Sequence, residues 1–255
     1  MLNLQIDDSQ LDVSFDHIAT DLFQNYDLRI GNSYYQLAEI EFYYNKFDKD
    51  KALDNFAHQH GEKNPNGTWR LHGAGLDIVF KKLGDYYGGI LIRGLQPLDS
   101  NRNQATDNYI DGPWNTATTC ISKMGMADAN SGFELVKRAK IRQTVFKKSP
   151  RVGLRLRQAQ DLRYIGKPWR YLALVGDTPV IKTKKYRHWA YLQQRHNEGE
   201  TEANKLWEHL YNRKNYWKEF KVGQTMSPQA FVNLKLTTGN TCRMLGCYIK
   251  NYTEA

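Results

Sequence analysis

Two glutamates stand in a stretch of aromatic and aliphatic residues, Tyr34-Tyr35-Gln36-Leu37-Ala38-Glu39-Ile40-Glu41-Phe42-Tyr43-Tyr44. An ionised carboxylate is costly in apolar surroundings and needs a partner or a task there. The composition predicts a strand over 34–44. Side chains alternate along a strand, so Glu39, Glu41 and Tyr43 share one face, and Gln36, Ala38, Ile40 and Phe42 take the other. Arg93 is alone in a second apolar run, Gly88 to Leu95, and is the obvious counter-charge. Two roles fit this pattern. One is a buried Glu–Arg pair holding two strands in register. The other is a general base kept ionised by an adjacent guanidinium.

Several elements must position these residues. Ile18, Leu22 and Phe23 have helical spacing and predict a short helix over 16–27. Residues 45–67 are polar and loop-like, ending in the turn signal Asn64-Pro65-Asn66-Gly67. Strands are predicted over Thr68–His72, Leu76–Phe80 and Gly88–Leu95. Gly112-Pro113 opens a helix over 114–124. Two short strands are expected around Arg151-Val152-Gly153 and over 169–174. Residues 199–220 predict one amphipathic helix, with Ala203, Leu206, Trp207, Leu210, Tyr211 and Trp217 on a broad face. Residues 223–255 are mixed in pattern. No repeat, low-complexity tract or Gly/Ser-rich linker divides the chain. The pattern reads as one α+β domain over 1–180, with a basic, partly helical C-terminal extension over 181–255 packed on it.

Composition narrows the class. With 255 residues, 40% apolar and 25% charged, the chain has an ordinary globular balance. No apolar run approaches the roughly 18 residues of a membrane span. The N-terminus has neither the basic nor the apolar region of a secretory signal. Cys120, Cys242 and Cys247 form no CxxC pair and have no zinc spacing, so neither metal nor disulfide is expected. Reduced thiols of this kind suit a cytoplasmic protein, at the nucleoid in a bacterium or in the nucleus of a eukaryote.

The net charge of +9 is unevenly spread. Residues 1–50 hold ten acids against three bases, whereas Lys137 to Arg187 holds sixteen bases against Asp161 and Asp177. Such a run is either a solvated face or a surface for a polyanion such as a phosphate backbone. The aromatics among these bases (Phe146, Tyr164, Trp169, Tyr171, Tyr186, Trp189 and Tyr191) serve either core packing or base stacking. Lys182 to Arg187 could be a localisation signal, though such short runs are common.

An ordered series of short motifs resembles the alkyladenine (3-methyladenine) DNA glycosylases. Glu39-Ile40-Glu41-Phe42-Tyr43 is similar to their Glu-x-Glu-Ala-Tyr strand, and a histidine follows in a polar loop. Gly67-Thr68 opens a strand like their Gly-Thr-Leu-Tyr. Ile90-Leu91-Ile92-Arg93-Gly94-Leu95-Gln96-Pro97-Leu98 resembles Val-Leu-Leu-Arg-Ala-Leu-Glu-Pro-Leu. Gly112-Pro113, Arg151-Val152-Gly153 and Lys167-Pro168-Trp169-Arg170-Tyr171 follow in the family's order. The matches span about residues 30–175.

The resemblance implies a curved, mostly antiparallel sheet flanked by helices, like that of the formyltransferase C-terminal domain. It implies a monofunctional enzyme, acting as a monomer on double-stranded DNA without a cofactor, that hydrolyses the N-glycosidic bond of a flipped, damaged purine. Glu41 would activate water, Arg93 would orient Glu41, and Tyr43 would wall the base pocket. The pocket histidine would be His58 or His60, with His58 preferred because it follows an alanine. His72 falls where the family has a second stacking tyrosine, and Asp77 where it has an asparagine. Gly73-Ala74-Gly75 occupies the region of the intercalating tyrosine. These departures point to a target base other than alkyladenine. Arg151, Arg155, Lys167 and Arg170 would contact DNA. No lysine adjoins Glu41, so water rather than an amine would be the nucleophile, leaving the strand uncut. The alternative on the same fold is a catalytically inactive module that binds DNA or RNA.

Overall fold

The computed structural model describes residues 2–47, 54–57, 64–102, 108–124, 132–175, 178–179 and 187–253. The chain is α+β and forms two compact units. The first comprises Met1–Ala52, Ala57–Phe146 and Tyr171–Lys182, and the second Leu53–Phe56, Lys147–Arg170 and Thr183–Ala255. Among the described residues, no helix is long and apolar enough to cross a membrane.

The first unit opens with helix α1 (Leu11–Asn25). Its buried residues Phe15, Ile18, Ala19, Leu22 and Phe23 recur at i, i+3, i+4, i+7 and i+8, a stripe that must face a core. The helix starts earlier and ends sooner than the sequence pattern suggests, because Tyr26 already belongs to strand β1 (Tyr26–Ile30). A tight turn leads into β2 (Ser33–Lys46), then β3 (Trp69–His72), β4 (Gly75–Lys82), β5 (Tyr86–Pro97) and β6 (Ile110–Asp111). Helix α2 (Pro113–Lys123) follows, with proline in its first turn. Strands β7 (Phe133–Lys137), β8 (Thr144–Ser149), β9 (Arg170–Val175) and β10 (Thr178–Pro179) complete a sheet of ten strands among the described residues.

The sheet is curled, and its main path runs β10-β9-β2-β5-β4-β3. The pairs β1–β2, β1–β7, β2–β5, β3–β4, β4–β5, β5–β6 and β9–β10 are antiparallel. One face of its centre packs on α1. Phe15 stacks on Phe42 at 4.4 Å between ring centroids, and Tyr44 and Phe80 close around it. Each such fully buried ring contributes roughly 1.5–3 kcal/mol.

The second unit is mainly helical: α3 (Leu162–Ile165), α4 (Arg187–Glu198), α5 (Glu200–Leu206), α6 (Arg213–Gly223) and α7 (Thr238–Tyr252). The long helix expected over 199–220 is two helices. Asn212 breaks it, adopting a left-handed conformation with φ +63°. No strand forms around Arg151-Val152-Gly153; the nearby strand is β8, earlier in the chain. Within this unit Trp189 donates to the Thr241 carbonyl at 2.5 Å and Trp207 to Gln194 at 3.1 Å. Such buried indoles need these acceptors.

Candidate active site

Register sets the site. Glu41 lies opposite Leu91, Leu91 opposite Asp77, and Asp77 opposite Arg70, a single row across β2, β5, β4 and β3. Strand alternation puts Glu39, Glu41, Tyr43, Leu91, Asp77 and Arg70 on the face away from Phe42, Ile90 and Ile78. His72 joins them two residues beyond Arg70. The face that carries acids is therefore distinct from the face that packs on α1.

Two irregularities in the β2–β5 ladder shape the centre. Leu37 pairs with Leu95 and Glu39 with Gly94, but Ile40 pairs with Ile92. Arg93 thus has no residue opposite it on β2, and the backbone bulges there. Its carbonyl accepts instead from the Gly112 amide at 2.9 Å. The bulge aims the Arg93 side chain between the two carboxylates. Its Nε lies 2.8 Å from Glu39 Oε1 and 3.4 Å from Glu41 Oε1. Tyr43 donates its hydroxyl to Glu41 Oε2 at 2.8 Å, and Tyr109 donates to Glu39 Oε2 at 3.4 Å.

Gly94 makes room for Tyr109. A Cβ at Gly94 would sit 2.1 Å from that hydroxyl, and no real atom can. Gly89 does the same for Asp77, whose Oδ2 would lie 2.9 Å from an added Cβ.

Glu39 and Glu41 are fully buried and Arg93 nearly so. Two carboxylates and one guanidinium carry a formal charge of −1 out of water. Burial alone would loosen the Arg93 proton, but Glu41 and Glu39 outweigh it and hold the guanidinium above its ordinary range. The positive charge is therefore permanent. The tyrosines that cap the two carboxylates are half-buried, so they stand between the charges and solvent.

Asp77 carries a second contact in the row. Its Oδ2 is 2.9 Å from His72 Nε2, while His72 Nδ1 accepts from the Ala74 amide at 3.2 Å. That backbone bond assigns the neutral-ring proton to Nε2, which faces the carboxylate.

The structure thus brings together Glu41, Arg93, Tyr43, Asp77 and His72. His58, and its alternative His60, lie outside the described residues. Arg151 and Arg170 are corrected: both are fully buried in the second unit. Arg151 forks onto Asp54 at 2.5 and 3.2 Å, and Arg170 donates to Ser149 at 3.4 Å. Neither guanidinium faces solvent, where a phosphate backbone would run. Arg155 is exposed, and Lys167 is half-buried over the Trp169 ring at 4.7 Å. Tyr109 was not singled out from the sequence; it reaches Glu39 from 70 residues away. Among the described residues, no cluster of three His, Cys, Asp or Glu side chains could hold a metal ion. No protein-family model, curated protein or solved structure matches this chain, so its site geometry carries the functional reading.

Proposed function

We propose that this chain is a monofunctional DNA glycosylase, hydrolysing the N-glycosidic bond of a damaged purine flipped out of duplex DNA. The observation that carries the reading is the buried Glu39–Arg93–Glu41 array with the Tyr43 hydroxyl on Glu41. When the C1′–N bond breaks, the bonding electrons leave with the base and positive charge builds on the sugar. A fixed, desolvated net negative charge stabilises such a centre and needs no reorganisation. Water then attacks C1′ and gives a proton to Glu41, much as in glycoside hydrolysis. A cationic alkylated purine departs as the neutral base, whereas a neutral purine departs with a proton taken from solvent; Glu41 then returns its proton to solvent, and an abasic sugar remains in an intact strand.

Each neighbour has a role in this scheme. Arg93, whose guanidinium keeps its charge, orients the Glu41 carboxylate. Tyr43 must release Glu41 Oε2 for water to take its place, and its ring then lines the pocket of the extruded base. The His72 ring offers a second face, with Asp77 holding its orientation. An alkylated, cationic purine gains roughly 0.5–2 kcal/mol from each such electron-rich ring. The protein would act as a monomer, and no metal or cofactor takes part.

One observation favours a second reading, a nucleic-acid-binding module without catalysis. Glu41 has no exposed surface, and both its oxygens are engaged. A panel of duplexes carrying 3-methyladenine, 7-methylguanine, hypoxanthine, ethenoadenine or uracil decides between them. Alkali-labile abasic sites in one of these strands are expected. Salt-dependent binding with no release from any substrate would install the second reading.

A further inference from the structure

A second buried charge cluster lies in the same unit. Asp27, on β1, is fully buried and takes three guanidiniums. Arg102 donates Nε and Nη2 to its Oδ2 at 3.0 and 2.8 Å. Arg138 Nη1 reaches both carboxylate oxygens at 2.9 and 2.8 Å, and Arg142 Nη2 reaches Oδ1 at 2.9 Å. One carboxylate against three guanidiniums leaves a formal surplus of +2. A latch between strands needs one arginine; surplus buried charge is expensive unless an anion completes it.

Two further observations point outward. Asp27 does not use all of the donors. Arg102 Nη1 and Arg142 Nε and Nη1 make no bond to the described protein and are not enclosed, and the side chains remain 27% and 13% exposed. Arg102 is also held with a left-handed backbone, φ +61°, which for an arginine costs on the order of 1 kcal/mol and persists only where the surroundings impose it. Its guanidinium lies over the Tyr34 ring at 4.4 Å, which fixes its plane. The crowding of positive charge is felt at Arg142. Burial pulls its pKa below the ordinary guanidinium value, Asp27 opposes this, and Arg138 and Arg102 add to the fall.

We propose that Arg102 and Arg142 form a phosphate-binding site, with Asp27 as the buried post that spreads their forks and Arg138, which also donates to the Arg102 and Lys140 carbonyls, as the brace that holds it. Planar guanidiniums match the oxygens of a phosphate in paired, charge-assisted hydrogen bonds. That chemistry is shared by a nucleic-acid phosphodiester and by free phosphate. The site does not depend on the hydrolytic reading, but its placement suits it. Leu28, next to Asp27, pairs with Tyr35, six residues along β2 from Glu41. That is about 20 Å of strand, or roughly six base steps of duplex at 3.4 Å each.

The test has two arms and two variants. In the first arm, an undamaged duplex is titrated over a range of salt concentrations, so failure of base release has no bearing on it. Loss of one neutralised phosphate lowers the salt slope of log affinity by about 0.9. Arg102→Gln, the most exposed of the three, and Arg142→Gln are each expected to show that drop, with circular dichroism unchanged. In the second arm, inorganic phosphate is added to the wild type at ionic strength matched with chloride, and thermal unfolding is followed. A phosphate-specific rise in Tm that Arg102→Gln abolishes assigns the site to free phosphate, and a slope change alone assigns it to the phosphodiester backbone. Unchanged salt slopes together with no phosphate-specific rise in the wild type overturn the proposal. If either variant unfolds, the salt slope of Arg102→Lys and the wild-type phosphate arm decide the matter by the same criteria.

Discussion

The clusters at Glu39–Arg93–Glu41 and at Asp27–Arg102–Arg138–Arg142 use the same groups in opposite proportion. The first holds two carboxylates around one guanidinium, and the second three guanidiniums around one carboxylate. Both are anchored by a fully buried acid. A purely structural ion pair balances its charges, because unpaired charge out of water costs several kcal/mol. Here the imbalance has a sign at each place. The negative one suits a cationic sugar or base, and the positive one suits a phosphate. The two clusters in this unit are therefore opposite in formal charge.

The minority partner of each cluster should carry the largest effect. Arg93→Leu leaves two buried carboxylates facing one another, and Asp27→Asn leaves three guanidiniums without their anion. Each is expected to lose about 3–5 kcal/mol of stability in urea denaturation, and added phosphate should recover part of the loss only in Asp27→Asn. Removing a member of the majority should act the other way. Glu41→Gln relieves the surplus charge and keeps a hydrogen-bonding side chain, so its stability should lie within about 1 kcal/mol of wild type. If Arg93→Leu and Glu41→Gln cost the same, surplus charge is not what distinguishes these clusters.

A buried group in the second unit gives a smaller effect and a reference point. His188 lies among Trp189 and Tyr216, bonded to Thr241 at 2.7 Å. Burial, and then the positive charge of Arg170, push its pKa down from 6.5 to about 4. The neutral ring is the native form. Its contribution is complete above pH 6.5, where the unfolded imidazole is also neutral, and is lost as the pH falls towards 4. The loss should reach about 3 kcal/mol, read from urea denaturation between pH 7.5 and 4. His188→Gln should flatten that slope.

How much of this was legible in the sequence differs between the clusters for a physical reason. Glu39, Glu41 and Tyr43 could be placed on one face because alternation along a strand is local, and Arg93 was the lone charge in another apolar run. The bulge that aims Arg93 between the carboxylates was not legible, nor was Tyr109, which depends on an absent Cβ at Gly94. The Asp27 cluster joins residues 75 to 115 positions apart, and its acid sits where the sequence pattern predicts helix. The basic run misled at Arg151 and Arg170. Charge density suggested a surface, whereas Asp54, 97 residues from Arg151, takes it into the core. Helix α7 escaped notice because Thr241 and Cys242 and then Met244 to Ile249 are all buried. Burial on every side erases the amphipathic period.

The most direct measurement is single-turnover base release by wild type and Glu41→Gln, on the best substrate of the damaged-duplex panel, with duplex affinity measured in parallel. Release should fall by about 10²–10⁴-fold, the usual contribution of a general base, while affinity stays within a few fold. Equal release rates, or a loss of release matched by an equal loss of affinity, would contradict the assignment of Glu41 as the group that activates water.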